Sequence, residues 1–261
     1  LPDADLSRRG LAHYSAIPLF GTVGVDRSYY RSLRTSEWAS YRAQVTTGFR
    51  FLIKAPGTLT RPFVDGRANP GFLDPRWAQE DFLEPALAGL GAQIGPVVLQ
   101  FTPGLCRQQD RETFNRALER FLSAEWDPRI RWALELRDPA WFDASFLDCL
   151  AAQGASPVWT EHPAMDPLPA RWARLGHRLS GPFIARWNLQ RPLHYETAKA
   201  RFRPFDRLQA PDPATRAGLA TAVRETLMRG ETAWVTINNK AEGSAPASVL
   251  HLAQAIGDPN R

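Results

Sequence analysis

Cysteine is nearly absent. The chain has two in 261 residues, Cys106 and Cys149. Their spacing is not of a metal-binding type, and a reduced, cytoplasmic setting is the plain expectation. Long apolar runs are missing too. None approaches the roughly eighteen residues of a membrane span, and no basic-then-apolar leader is seen, so no membrane partner is expected. Histidine is sparse. His13, His162, His177, His194 and His251 are scattered without a ligand motif, and only His162 ends an apolar run. A histidine-rich zinc cluster cannot be assembled from them. No metal or cofactor is expected, although a carboxylate-bound Mg²⁺ stays open. There is no G-x-G-x-x-G turn, no P-loop and no serine nucleophile elbow.

The rest of the composition is that of a globular protein, with 44% hydrophobic and 23% charged residues. The net charge of +5 is carried mostly by arginine. It leans toward an anionic partner, though a basic surface is the plainer reading. Seven short apolar runs end in a polar or charged residue and are followed by helix-like stretches. They are Leu19–Asp26, Phe49–Lys54, Pro96–Gln100, Ile130–Arg137, Pro157–His162, Phe183–Asn188 and Ala233–Asn239. Helices are expected at Leu73–Leu90, Asp110–Ala124, Ser145–Ala152, Pro213–Arg229 and Pro246–Ile256. Arg61–Gly71 and Gln190–Ala210 read as loops. Asp5–Ser15 also has helical periodicity, so the repeat opens on a helix and its first strand is expected to be missing from the chain. Seven strands and one missing make eight. The expected fold is an α/β TIM-like (β/α) barrel, a single domain over residues 1–261. A doubly wound sheet is the alternative, and it would usually carry a glycine-rich phosphate turn.

Chemistry in such a barrel gathers where the strands end. Alternate strand residues share a face. Glu135 and Arg137 therefore point one way, against Trp132, Leu134 and Leu136, and Arg186 and Asn188 pair similarly. A charge facing the apolar layer would be costly, so Lys54, Glu135, Arg137 and Arg186 are expected at the barrel mouth, with Gln100 and Asn238 beside them. Glu161 is a second acid there. Strand spacing of about 4.8 Å would put Glu135 and Glu161 near the separation of a retaining glycosidase pair. Trp141, Trp159 and Trp187 could stack on a sugar or base, with core the plainer role for the last two. The segment Asn238–Pro246 reads as a strand end leading into a helix capped by Ser244 or Ala245, a place where phosphate can bind.

Several functions fit these residues. One is general acid–base catalysis on a small anionic or sugar-like substrate. Glu135 would transfer the proton, and Lys54, Arg137 and Arg186 would hold negative charge. Gln100 and Asn238 would orient the substrate, and Lys54 could instead be a Schiff-base nucleophile. A second is nucleic-acid binding through the basic stretch Arg191–Arg207. A third is a barrel that binds a metabolite or protein without catalysis. A structural ion-pair network plugging the strand ends is the bland account of the same charges.

Several segments resemble one family across nearly the whole chain. These are Tyr14 through Tyr30-Arg31, Phe49-Arg50-Phe51-Leu52-Ile53-Lys54-Ala55-Pro56, and Gly95-Pro96-Val97-Val98-Leu99-Gln100-Phe101-Thr102-Pro103. Glu135-Leu136-Arg137 with Trp141, and Asn238-Asn239, complete the set. Together they are similar to the YecE-like family, domain of unknown function 72. The resemblance implies a TIM-like barrel whose mouth carries these residues, Tyr30 among them, and it implies no particular reaction. The chain departs from the family pattern at Gly24 and Asp26, where Glu and Asn are usual, at Glu161 or its neighbourhood for a usual Asp, and at Asn188 for a usual His. The carboxylate lost at Gly24 counts against a two-acid mechanism.

Overall fold

The computed structural model describes residues 10–258. Its strands are β1 (Thr22–Val25), β2 (Arg50–Lys54), β3 (Phe63–Val64), β4 (Arg67–Ala68), β5 (Ile94–Gln100), β6 (Arg131–Glu135), β7 (Ser156–Glu161), β8 (Phe183–Trp187) and β9 (Ala233–Ile237). Seven of them form one sheet in the order β1-β2-β5-β6-β7-β8-β9, which is chain order with helices in between. That is the topology of the TIM-like α/β class. All seven expected strands are present. β5, β7 and β8 are buried along their whole length, which is why they read as continuous apolar runs rather than alternating ones. Among the described residues, no helix is long and apolar enough to cross a membrane.

The chain divides into two compact units, Leu1–Thr102 with Arg107–Ala133, and Pro103–Cys106 with Leu134–Arg261. In the first, β1 and β2 pair in parallel from Thr22↔Arg50 to Val25↔Ile53, and Lys54 pairs with Val98 of β5. The stretch Arg61–Gly71, expected as a loop, contains the β3–β4 hairpin. Its turn is Asp65-Gly66, both at positive φ, the backbone that suits the twist of a tight hairpin. The expected helix Leu73–Leu90 begins at Pro75, where the Asp74 carboxylate accepts from Trp77 N–H at 2.7 Å. It then widens into a π turn over Ala78–Leu83 and continues as Glu84–Leu90. Pro85 has no N–H for the carbonyl four residues back, and the wide turn just before it absorbs that loss. Helix Arg111–Leu122 is capped by Asp110 and buries Phe114, Leu118, Phe121 and Leu122, the expected stripe. Residues 10–15 are helical, and the rest of the helix expected from Asp5 lies outside the described residues.

Gly89 lies where its helix packs tightly on helix Thr35–Arg42. Alanine is normally favoured over glycine in a helix by about 1 kcal/mol. Here a Cβ would sit 2.3 Å from Trp38 Cβ and 2.7 Å from the Thr35 carbonyl oxygen. Gly89→Ala is therefore expected to destabilise the protein by about 1–3 kcal/mol in urea denaturation, against its helix propensity. A gain in stability would mean that helix Thr35–Arg42 moves aside easily.

In the second unit β7 pairs with β8 and β8 with β9, both in parallel. Helices Ala144–Ala152 and Pro213–Met228 are capped by the Asp143 and Asp212 carboxylates. Helix Ala245–Gly257 follows Ser244, and its first N–H is bonded by Asn239 Oδ1 at 2.8 Å. The stretch Gln190–Ala210, expected as a loop, holds helix Tyr195–Phe202. Ala198 and Phe202, one turn apart, bury against Leu189, with Leu193, Phe205 and Ala210 packed around them. So short a stripe leaves too little periodicity to read.

Candidate functional site

Four of the expected residues meet in the second unit at the C-terminal ends of β6 and β8. Glu135 ends β6 with its side chain wholly buried, 0% exposed. Its Oε1 accepts from Arg137 Nε at 3.1 Å and Nη2 at 3.0 Å. Its Oε2 accepts from Arg186 Nη1 in a close ion pair. Asn188 Nδ2 lies 3.5 Å from Oε1 and donates to Thr160 Oγ1 at 2.8 Å. The Thr160 hydroxyl donates in turn to the Arg186 carbonyl at 3.3 Å, consistent with the Thr160↔Arg186 register. Arg137 and Arg186 both converge on the Glu135 carboxylate. Arg186 is 7% exposed and Arg137 17%, so Arg137 presents an edge to solvent. Guanidinium suits the two-pronged recognition of carboxylate or phosphate.

At the end of β7 the side chains diverge. Glu161 is buried; its Oε2 accepts the Leu168 N–H at 2.6 Å and its Oε1 accepts from Arg191 Nε at 2.6 Å. It thus holds the start of helix Leu168–Leu175, where negative charge is favoured. His162 follows. Its Nδ1 accepts the Ala164 N–H at 3.0 Å, so the ring proton sits on Nε2. Burial first, then the Arg137 cation, lowers its pKa to about 4. The sign follows: a folded pKa below the ordinary 6.5 favours the fold above pH 6.5, and that contribution is lost as the pH falls toward 4. The His162 ring resonances in an NMR titration are expected to stay flat from pH 8 to 5.5. A midpoint near 6.5 would show an open, solvated ring.

Two arginines fix the connection after β7. Arg191 Nη2 donates to the His162 carbonyl at 2.8 Å and to the Met165 carbonyl. Arg171, wholly buried, donates from Nε to the Asp166 carbonyl at 2.9 Å and from Nη2 to the Thr160 carbonyl. It stands over the Phe142 ring at 4.9 Å, and burial lowers its pKa to about 10. Arg191, the first arginine of the basic stretch, is thereby committed to the fold.

The other expected residues lie as follows. Asn238 Oδ1 accepts the Lys240 N–H at 3.0 Å and caps the turn after β9. Trp141 is buried in the short helix Pro139–Trp141, and Trp159 and Trp187 are wholly buried core. In the first unit Lys54 ends β2 with its ammonium 3.8 Å over the Tyr29 ring, and its carbonyl accepts from Ser28 Oγ at 2.6 Å. Tyr30 is exposed and meets Tyr29 edge-on, while Gln100 ends β5 and is buried. Thr160, His162 and Arg191 were not singled out as site residues from sequence. Thr160 and His162 carry the same alternation that marks Glu135 and Arg137, and that signal was available. Among the described residues, no cluster of three or more His, Cys, Asp or Glu side chains could hold a metal ion.

Comparison with known proteins gives one family. The model described as "Protein of unknown function DUF72" matches residues 1–261. A solved DUF72 family protein from Enterococcus faecalis V583 is 17% identical, with a TM-score of 0.65 over 97% of this chain and 92% of that one. Another, from Thermotoga maritima MSB8, is 17% identical, with a TM-score of 0.61 over 95% of this chain and 89% of that one. At these identities the likeness is one of fold. No curated protein matches.

Proposed function

The chain belongs to the DUF72 family, and from its site we propose that it is a cytoplasmic enzyme using general acid–base chemistry on a small anionic or sugar-like substrate. The observation that carries this reading is the buried Glu135 carboxylate held between Arg137 and Arg186. The more exposed of the two guanidinium groups, Arg137, can turn an edge to a ligand. A substrate anion that engages Arg137 would compete for the donors now on Glu135 Oε1. That oxygen would then be available to take a proton from the bound molecule, with Arg186 still holding Oε2. Asn188, held by Thr160, lies beside the carboxylate.

The test is thermal denaturation of the protein with inorganic phosphate, sugar phosphates, small carboxylic acids, neutral sugars and short oligonucleotides. Ligand bound only by the folded state raises the melting temperature by mass action, by about 2.7 kcal/mol of stability at a hundredfold excess over Kd. A rise with small anions that disappears in Arg137→Gln supports the reading. Turnover of the same compound, lost in Glu135→Gln while binding persists, supports the role of Glu135. A response to oligonucleotides alone would replace the reading with nucleic-acid binding. A response to neutral sugars alone would remove the anion.

A further inference from the structure

We infer that His162 is a specificity-determining residue, donating its Nε2–H to a neutral oxygen of the substrate beside the anionic group held by Arg137. The inference rests on the anion-binding reading above and adds the class of substrate: an acid or phosphate ester with a hydroxyl or carbonyl oxygen close to its charge.

The orientation comes from β7. Thr160 faces the Glu135 cluster, since its hydroxyl bonds Asn188 and the Arg186 carbonyl. Glu161 faces away, toward the Leu168 N–H. Alternation returns His162 to the side of Thr160. The electrostatic influence of Arg137 and Glu135 on the ring agrees with that placement. Nδ1 is occupied by the Ala164 N–H, which leaves Nε2–H as the ring's donor. The backbone around the ring is held at several points. The His162 carbonyl accepts from Arg191 and from the Met165 N–H at 3.0 Å, and the preceding Thr160 carbonyl accepts from Arg171. A donor fixed before the ligand arrives loses little entropy on binding.

The charge state decides what this donor selects. An imidazolium would add a third cation and prefer a second negative charge. A neutral ring offers a single hydrogen bond, suited to a hydroxyl or carbonyl oxygen. The ring is neutral through the physiological range because burial and Arg137 both oppose its protonation.

The experiment compares matched ligands by calorimetric titration: glycerol 3-phosphate against propyl phosphate, and lactate against propionate. Each pair differs by hydroxyl groups near the anion. The wild type is expected to prefer the hydroxylated member by about three- to tenfold, the worth of one neutral hydrogen bond. His162→Phe keeps a ring and removes the donor. It should bind both members with the affinity of the unhydroxylated one, and His162→Gln, which restores a donor, should recover part of the preference. A purely structural role would weaken both members alike and leave the ratio unchanged. A preference that survives in His162→Phe, or equal binding of the two members by the wild type, overturns the role of His162 while the anion site stands. Failure of the wild type to bind any of the four anions overturns both.

Discussion

Glu135→Ala is expected to lower the free energy of unfolding by about 3–5 kcal/mol, the usual loss when one partner of a buried ion pair is removed. The carboxylate is fully out of solvent, and Arg186 is nearly so. Truncation removes the close carboxylate partner of the nearly buried Arg186 guanidinium, and it removes the acceptor that Arg137 Nε and Nη2 share. Glu135→Gln should cost less, because the amide keeps the volume and one acceptor oxygen. Its N–H₂ would still be set against a guanidinium, so a loss remains. The paired change Glu135→Leu with Arg186→Met should recover part of the stability, since two apolar groups of similar size replace the buried Glu135–Arg186 pair. Urea denaturation with an unchanged slope would read all three. A loss below about 1 kcal/mol for Glu135→Ala would place the cluster among well-hydrated surface pairs. It would also weaken the functional reading, which needs a dry carboxylate.

The same cluster shows how far the sequence could be read. The strands were legible because burial on both faces leaves continuous apolar runs, and β5, β7 and β8 are buried throughout. Alternation then put Glu135 with Arg137 and Arg186 with Asn188, and in the structure these four meet. Distances between strands were beyond its reach, because register and stagger are properties of the folded sheet. Glu161 illustrates this. Its place on β7 was readable, but its bonds to the Leu168 N–H and to Arg191 depend on how the next connection turns back. The short elements escaped for a different reason. Helix Tyr195–Phe202 buries only Ala198 and Phe202, too few residues for a periodic signal. The β3–β4 hairpin did have a signal, the Asp65-Gly66 pair, hidden by the absence of alternating apolar residues around it.

The site depends on β7 being held firmly, and that gives the other large effect. Trp159 precedes Thr160 in the strand and is wholly buried. Its ring lies 5.1 Å from Phe142 and 4.9 Å from Trp172, both edge-on, and 6.3 Å from Phe183. Trp159→Ala is expected to cost about 3–5 kcal/mol, from lost transfer energy and the cavity left behind. Trp159→Phe makes the sharper test. It removes less volume and keeps the aromatic contacts, and it also deletes the Nε1–H, which is buried without a hydrogen-bond partner among the described residues. An unmet buried donor costs about 1–3 kcal/mol, enough to offset the smaller cavity. Trp159→Phe is therefore expected to fall within about 1 kcal/mol of the wild type. If it costs as much as alanine, the indole N–H must be bonded in solution, with buried water as its partner. If only alanine is costly, β7 is anchored by packing alone. Thr160 and His162 then owe their positions to an apolar cluster behind the strand as much as to the arginines at its end.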